Sequence, residues 1–114
     1  MEKITIYEKP TCTTCRKVNK ILEEKGVDFE KVNYYIKPFT ESKLKSLLKK
    51  MNMKPSELLR KRELAAKAID LKTESENQIL EMMILDHDLI QRPIVEMGDK
   101  AILARPPERI YELF

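Results

Sequence analysis

Cys12 and Cys15 are the two cysteines of this 114-residue chain, with Thr13 and Thr14 between them. A thiolate is the nucleophile in any chemistry such a pair performs, and a second thiol one helical turn away can close a disulfide with it. The spacing points to redox chemistry, with Cys12 as nucleophile and Cys15 as a resolving thiol or sensor. The same letters also fit two small buried residues, or half of a zinc site. Zinc asks for about four ligands, and His87 is the single histidine, so no metal is expected. No histidine follows Cys15, which excludes covalent haem attachment by motif.

The elements around the pair explain why one thiol would be reactive. Lys3-Ile4-Thr5-Ile6-Tyr7 alternates and is rich in β-branched residues, which predicts a strand. Cys15, Val18, Ile21 and Leu22 then recur at helical spacing until Gly26 stops the run. Pro10 and Thr11 break the chain between the two patterns, so the cysteines fall at a helix N-terminus. Free backbone N–H groups, expected from Thr13 to Arg16, and the helix dipole favour a thiolate on Cys12 there. Arg16 adds a positive charge one turn on. A Cys-x-x-Cys at a strand-to-helix junction is the sequence sign of a thioredoxin-like redox site.

Bulk properties set the limits. The length allows one domain with its own core, and the 42% apolar and 36% charged shares are those of a folded globular chain. Net charge is +3, too small to imply direct nucleic-acid binding, and the 22 basic and 19 acidic residues mostly interleave. No secretory leader and no membrane-length apolar run is visible. Two cysteines in one motif are no secreted disulfide framework, so the expected location is the cytoplasm.

Along the rest of the chain, Val27 to Val32 reads as a second strand leading to Tyr34-Tyr35 and ended by Pro38. Strand, helix, strand makes a βαβ unit with parallel strands. Residues of about 40–88 then read as a helical insert. Thr40 is a candidate N-cap for a helix presenting Leu44, Leu47, Leu48 and Met51. Pro55 suits the first position of a short helix with Leu58 and Leu59, and Leu64, Ala65 and Ala68 predict another. Thr73 to Glu76 has capping-box spacing and introduces Ile79, Leu80, Met82 and Met83. Ile94–Met97 and Lys100–Leu103 flank Gly98-Asp99, a two-residue hairpin signal. Pro106-Pro107 opens a last short helix with Ile110, Leu113 and Phe114 inward. The order βαβ, helices, ββα predicts an α/β, thioredoxin-like (glutaredoxin-like) fold, with a mixed four-stranded sheet and helices on both sides. One domain, residues 1–114, is expected.

That layout resembles the arsenate reductase-like (ArsC/Spx) family of the thioredoxin superfamily over essentially the whole chain. The matching stretches are Ile4-Thr5-Ile6-Tyr7 before Cys12, Pro55-Ser56-Glu57-Leu58-Leu59-Arg60, Arg92-Pro93-Ile94-Val95 and Ala104-Arg105-Pro106-Pro107-Glu108. The resemblance implies an oxidoreductase in which Cys12 attacks an oxyanion such as arsenate, bound by Arg60, Arg92 and Arg105, with Arg16 close by. Arginine suits that task because its planar fork donates two hydrogen bonds to a tetrahedral anion. In the family the second thiol is glutathione, followed by glutaredoxin. With Cys15 present, the disulfide would be Cys12–Cys15, reduced by thioredoxin or glutaredoxin, with no bound cofactor. The resemblance also implies a cis Pro93 beside the site.

Two departures redirect the reading. Glu8 stands where the reductases carry a histidine, and a carboxylate there opposes a thiolate. Cys15 stands where they usually carry serine. The Cys-x-x-Cys resembles Spx regulators, whose partner is the C-terminal domain of the RNA polymerase α-subunit, although these regulators lack an arginine matching Arg105. A general thiol-disulfide reductase is the third alternative. An isolated arginine among 22 basic residues is ordinarily solvated, so position alone singles out these. His87 reads as a cap at a helix end. The methionines read as core filler, and Lys43, Lys45, Lys49, Lys50 and Lys54 as a solvated face.

Overall fold

The computed structural model describes residues 3–66 and 75–114, with side chains for 3–63 and 75–114. The chain divides into two compact units, Met1–Lys37 with Arg92–Phe114, and Pro38–Gln91.

The first unit holds the sheet: β1 (Ile4–Glu8), β2 (Phe29–Asn33), β3 (Ile94–Met97) and β4 (Lys100–Leu103). Their order is β2-β1-β3-β4, with β1 parallel to β2 and the other pairs antiparallel. This is the expected mixed four-stranded sheet. The second strand starts later than its alternation implies: Val27 and Asp28 precede it, and Tyr34 and Tyr35 lie in the turn beyond it. The hairpin falls on the expected residues, with Met97 paired to Lys100. Gly98 takes φ +62° as the first turn residue, where only glycine is unstrained.

α1 (Thr13–Glu24) buries Cys15, Val18 and Leu22. Gly26, at φ +69°, follows its C-cap Lys25. Val18 and Leu22 pack with Ile4, Ile6, Val95, Ile102, Ala104, Ile110 and Leu113 in one apolar cluster. Ile110 and Leu113 come from a closing 3-10 helix, Pro107–Leu113. Phe114 does not point inward as its spacing implies. The helix ends at Leu113, so the terminal ring is 51% exposed, with the Lys25 ammonium 4.6 Å from its centroid.

The sheet register decides what gathers at one edge. β1 and β2 run parallel and end together at Glu8↔Asn33. β3 begins and β4 ends at that same edge, since Tyr7 pairs with Ile94 and Ile94 with Leu103. The segments next to those ends are Lys9–Cys12, Tyr34-Tyr35, Arg92-Pro93 and Ala104-Arg105. Strand ends of this kind are where α/β sheets form their ligand sites.

The second unit is helical: α2 (Glu41–Met51), α3 (Pro55–Leu58), α4 (Lys61–Ala66), α5 (Glu76–Leu85) and a 3-10 turn, His87–Leu89. Thr40 caps α2, its hydroxyl accepting from Lys43 N–H at 3.1 Å. Leu44, Leu47 and Leu48 are buried, and Met51 is half-buried. The capping box of α5 sits two residues later than the Thr73 spacing predicts. Ser75 Oγ accepts from Gln78 N–H at 3.2 Å and Gln78 Oε1 accepts from Ser75 N–H at 2.7 Å. Thr73 and Ala68 lie outside the described residues. His87 is no end of α5 either. The helix stops at Leu85, and His87 opens the 3-10 turn, its carbonyl accepting from Ile90 N–H.

Candidate active site

Cys12 is the N-cap of α1. Its backbone is extended (φ −76°, ψ 125°), which turns the side chain back over the first helical turn. The sulfur accepts the Cys15 backbone N–H at 3.5 Å, as a capping serine oxygen would. The Arg16 N–H closes onto the Cys12 carbonyl at 3.1 Å. Arg16 N–H is thus part of the helical ladder, unlike the exposed donor its position implied.

The two thiols are held in opposite states. Burial pushes the Cys12 thiol up, but hydrogen bonds from the Cys15 N–H, the Cys15 side chain and Arg92, with the Arg92 charge, outweigh it. The net effect holds Cys12 below the ordinary thiol range and favours its thiolate. Cys15 is fully buried, and that burial pushes its thiol up to about 12. A backbone hydrogen bond at Lys9 works against this rise, while Cys12 and the Glu8 carboxylate add to it. Cys12 is half-buried, so the accessible sulfur is the ionisable one.

Glu8 therefore acts on the sulfur it was not expected to reach. It is 5% exposed at the end of β1, and its Oε1 accepts from Asn19 Nδ2 at 2.6 Å. The same Asn19 nitrogen donates to the Cys15 carbonyl at 2.8 Å. Its charge opposes ionisation of Cys15.

Arg92 is the cation of the site and is 8% exposed. Its Nη1 donates to the Tyr35 hydroxyl at 3.1 Å. Burial disfavours the cation, but Tyr34, Cys12 and Tyr35 outweigh it and raise its pKa. The buried Nε has no hydrogen-bond partner among the described residues. Arg92–Pro93 is a cis peptide, as is Arg105–Pro106, and Pro93 is buried. Arg105 is exposed, and its Nη1 donates to the Arg92 carbonyl at 3.1 Å. The structure thus brings Cys12, Cys15 and Arg92 together and ties Arg105 to the Arg92 backbone. Arg16 is exposed, its Nε donating to the Pro10 carbonyl at 3.1 Å. Arg60 belongs to the second unit, where its Nη1 lies 3.2 Å from the Asp88 carbonyl and 3.4 Å from Glu63 Oε1.

Four residues went unassigned from the sequence: Lys9, Asn19, Tyr34 and Tyr35. The two tyrosines carried a usable signal, since residues just after β2 must emerge beside those just after the parallel β1. Asn19 is one helical turn past Cys15, a spacing that placed it on the same face. Among the described residues no cluster of His, Cys, Asp and Glu could hold a metal. No described helix is long and apolar enough to cross a membrane.

Comparison with known proteins fits this arrangement. The Escherichia coli protein YfgD is 34% identical over 115 residues, covering 98% of this chain and 97% of the relative. An arsenate reductase of Haemophilus influenzae is 33% identical over 113 residues, covering 96% and 97%. A global transcriptional regulator Spx of Lactiplantibacillus plantarum is 29% identical over 94 residues, covering 81% of this chain and 71% of the regulator. The solved structure of an arsenate reductase from Vibrio cholerae superposes with a TM-score of 0.91 at 26% identity, covering 99% and 98%. The ArsC family model matches residues 7–113. With its sheet order, its Cys12-capped helix and Arg92 beside the thiol, this chain belongs to the ArsC family.

Proposed function

We propose that this protein is a cytoplasmic thiol-dependent oxidoreductase resembling arsenate reductase. One observation carries the reading: the Cys12 sulfur sits at a helix N-terminus beside a buried arginine whose Nε lacks a partner among the described residues. A buried guanidinium N–H without an acceptor is costly, and a bound tetrahedral oxyanion would satisfy it. Arg105 follows the same sheet edge, the family pattern assigns Arg60 the same anion-binding task, and Arg16 adds a positive charge one helical turn on from Cys12.

In this reading the Cys12 thiolate attacks arsenic of arsenate and an oxygen leaves as water, giving a Cys12 S–As bond. A second thiolate then attacks the Cys12 sulfur. An S–S bond forms, the S–As bond breaks, and its electron pair leaves with arsenic, reduced by two electrons. The second thiol is glutathione or Cys15. Glutaredoxin or thioredoxin reduces the resulting disulfide. The burial of Cys15 and the adjacent Glu8 charge make it a slow resolving thiol, so an external thiol takes the larger share.

The decisive assay is arsenate-dependent NADPH consumption by purified protein with a glutathione–glutaredoxin chain and, separately, a thioredoxin chain. Turnover with either is expected; none with both overturns the reading. The Cys-x-x-Cys and the Spx relative support a second reading, a redox-sensing regulator of the Spx kind. Capture of the C-terminal domain of the RNA polymerase α-subunit, with binding that changes on oxidation of Cys12 and Cys15, would favour it. A general thiol-disulfide reductase would act on small disulfides and ignore arsenate.

A further inference from the structure

Tyr35 occupies a turn that is pinned on several sides. Tyr34 N–H donates to the Glu8 carbonyl at 3.3 Å, continuing the β1–β2 pairing by one residue. Tyr35 N–H donates to Asn33 Oδ1 at 3.0 Å, and the Ile36 and Lys37 N–H groups donate to the Asn33 carbonyl. A backbone with that many local bonds has little freedom, so the Tyr35 ring is presented in one place. The Tyr34 ring packs against it with centroids 5.0 Å apart.

Two cations meet at that ring. The Arg92 Nη1 donates to the Tyr35 hydroxyl at 3.1 Å, with its guanidinium carbon 5.9 Å from the ring centroid. The Lys9 ammonium lies 4.8 Å from the same centroid. Lys9 also belongs to the Cys12 turn, its carbonyl accepting the Cys12 N–H at 2.9 Å. The ring quadrupole and the phenol oxygen offset the repulsion between the two positive groups.

We propose that Tyr35 is a positioning residue, which holds the Arg92 guanidinium against the Cys12 sulfur and gathers Lys9 beside it as a further cation for the bound anion. The anion-binding half of this rests on the oxyanion reading above; the hold on Arg92 does not. Tyr35 accepts from one nitrogen of Arg92, alongside the Tyr34 side chain that also bonds the guanidinium, and so restricts the orientation in which Arg92 meets the thiolate.

The test compares wild type, Tyr35→Phe and Tyr35→Leu. The Phe variant loses the bond to Arg92 and keeps the ring under Lys9; the Leu variant loses both. Two readouts are taken: the pH at which Cys12 ionises, from ultraviolet thiolate absorbance, and protection of Cys12 from iodoacetamide by arsenate. Phe is expected to raise the ionisation pH of Cys12 and weaken arsenate protection about tenfold, the worth of one hydrogen bond to a charged group. Leu is expected to weaken protection further with no larger change in ionisation. A folded Phe variant with wild-type ionisation overturns the hold on Arg92, whatever arsenate does. If wild type shows no arsenate protection, the oxyanion reading and the Lys9 role fall together, while a raised ionisation pH in the Phe variant still upholds the hold on Arg92. Equal protection in the Phe and Leu variants overturns the Lys9 role alone. Thermal melts show which variants are folded, and the Phe variant decides if Leu is not.

Discussion

The Asn19 side-chain amide donates to the buried Glu8 carboxylate at 2.6 Å, and the same nitrogen reaches the Cys15 carbonyl at 2.8 Å. One asparagine thereby fastens a carboxylate to the helical turn that carries the second thiol. The negative charge is placed on the Cys15 side of the pair, where it reinforces burial in keeping that thiol protonated.

Glu8→Gln removes the charge and keeps an oxygen for Asn19. It is expected to lower the ionisation pH of Cys15 from about 12. Thiolate absorbance across alkaline pH checks this. A downward shift confined to Cys12 would refute the assignment of Glu8 to Cys15.

Arg92→Met keeps much of the side chain's bulk but deletes the cation. The Cys12 ionisation pH is expected to rise, because a hydrogen bond and a charge that lower it are both lost. Alkylation of Cys12 near neutral pH slows accordingly. Chemical denaturation is expected to show a loss of about 1–3 kcal/mol, since the Tyr35 hydroxyl loses its buried donor, while the Arg105 bond to the residue-92 carbonyl remains.

Opposite pH slopes of stability are expected from the two thiols. Cys12 has a depressed folded pKa, so its contribution is present above the unfolded value of about 8.5 and fades as pH falls through the folded pKa. Cys15 is raised to about 12, so its contribution is full below about 8.5 and is lost as pH climbs toward the folded value. Denaturation of Cys12→Ala and Cys15→Ala against wild type reads this directly. The wild-type advantage over Cys12→Ala should grow as pH rises toward about 8.5 and then level off, whereas that over Cys15→Ala should shrink as pH rises above about 8.5. Parallel trends would contradict the division.

Leu22→Ala tests the apolar cluster under the site. Leu22 is fully buried among Ile4, Ile6, Val95 and Ile110. A loss of about 2–5 kcal/mol is expected from the transfer and cavity terms. The ionisation pH of Cys12 should stay at the wild-type value while the variant remains folded, because the groups that set it are the first turn of α1 and Arg92.

Sequence alone determined the local grammar. Period-two and period-three-to-four patterns placed β1, α1, α2 and the Gly98 hairpin, because alternation, caps and turn glycines act within a few residues of themselves. The same locality put Cys12 at a helix start, which is the root of its reactivity. Element ends were less legible: the last helix stops at Leu113 and α5 at Leu85, one residue short of Phe114 and two short of His87. Tertiary structure alone decided how Cys15 is kept protonated and which cation meets Cys12. Burial of Cys15, the Glu8–Asn19 bond and the Tyr35 hold on Arg92 join residues from β1, α1, the turn after β2 and the start of β3. Charge–charge and desolvation effects depend on distance in space, and only the strand register brings those four segments to one edge. Folded, Cys12-x-x-Cys15 is one half-buried thiol favoured as its thiolate and one fully buried thiol kept protonated.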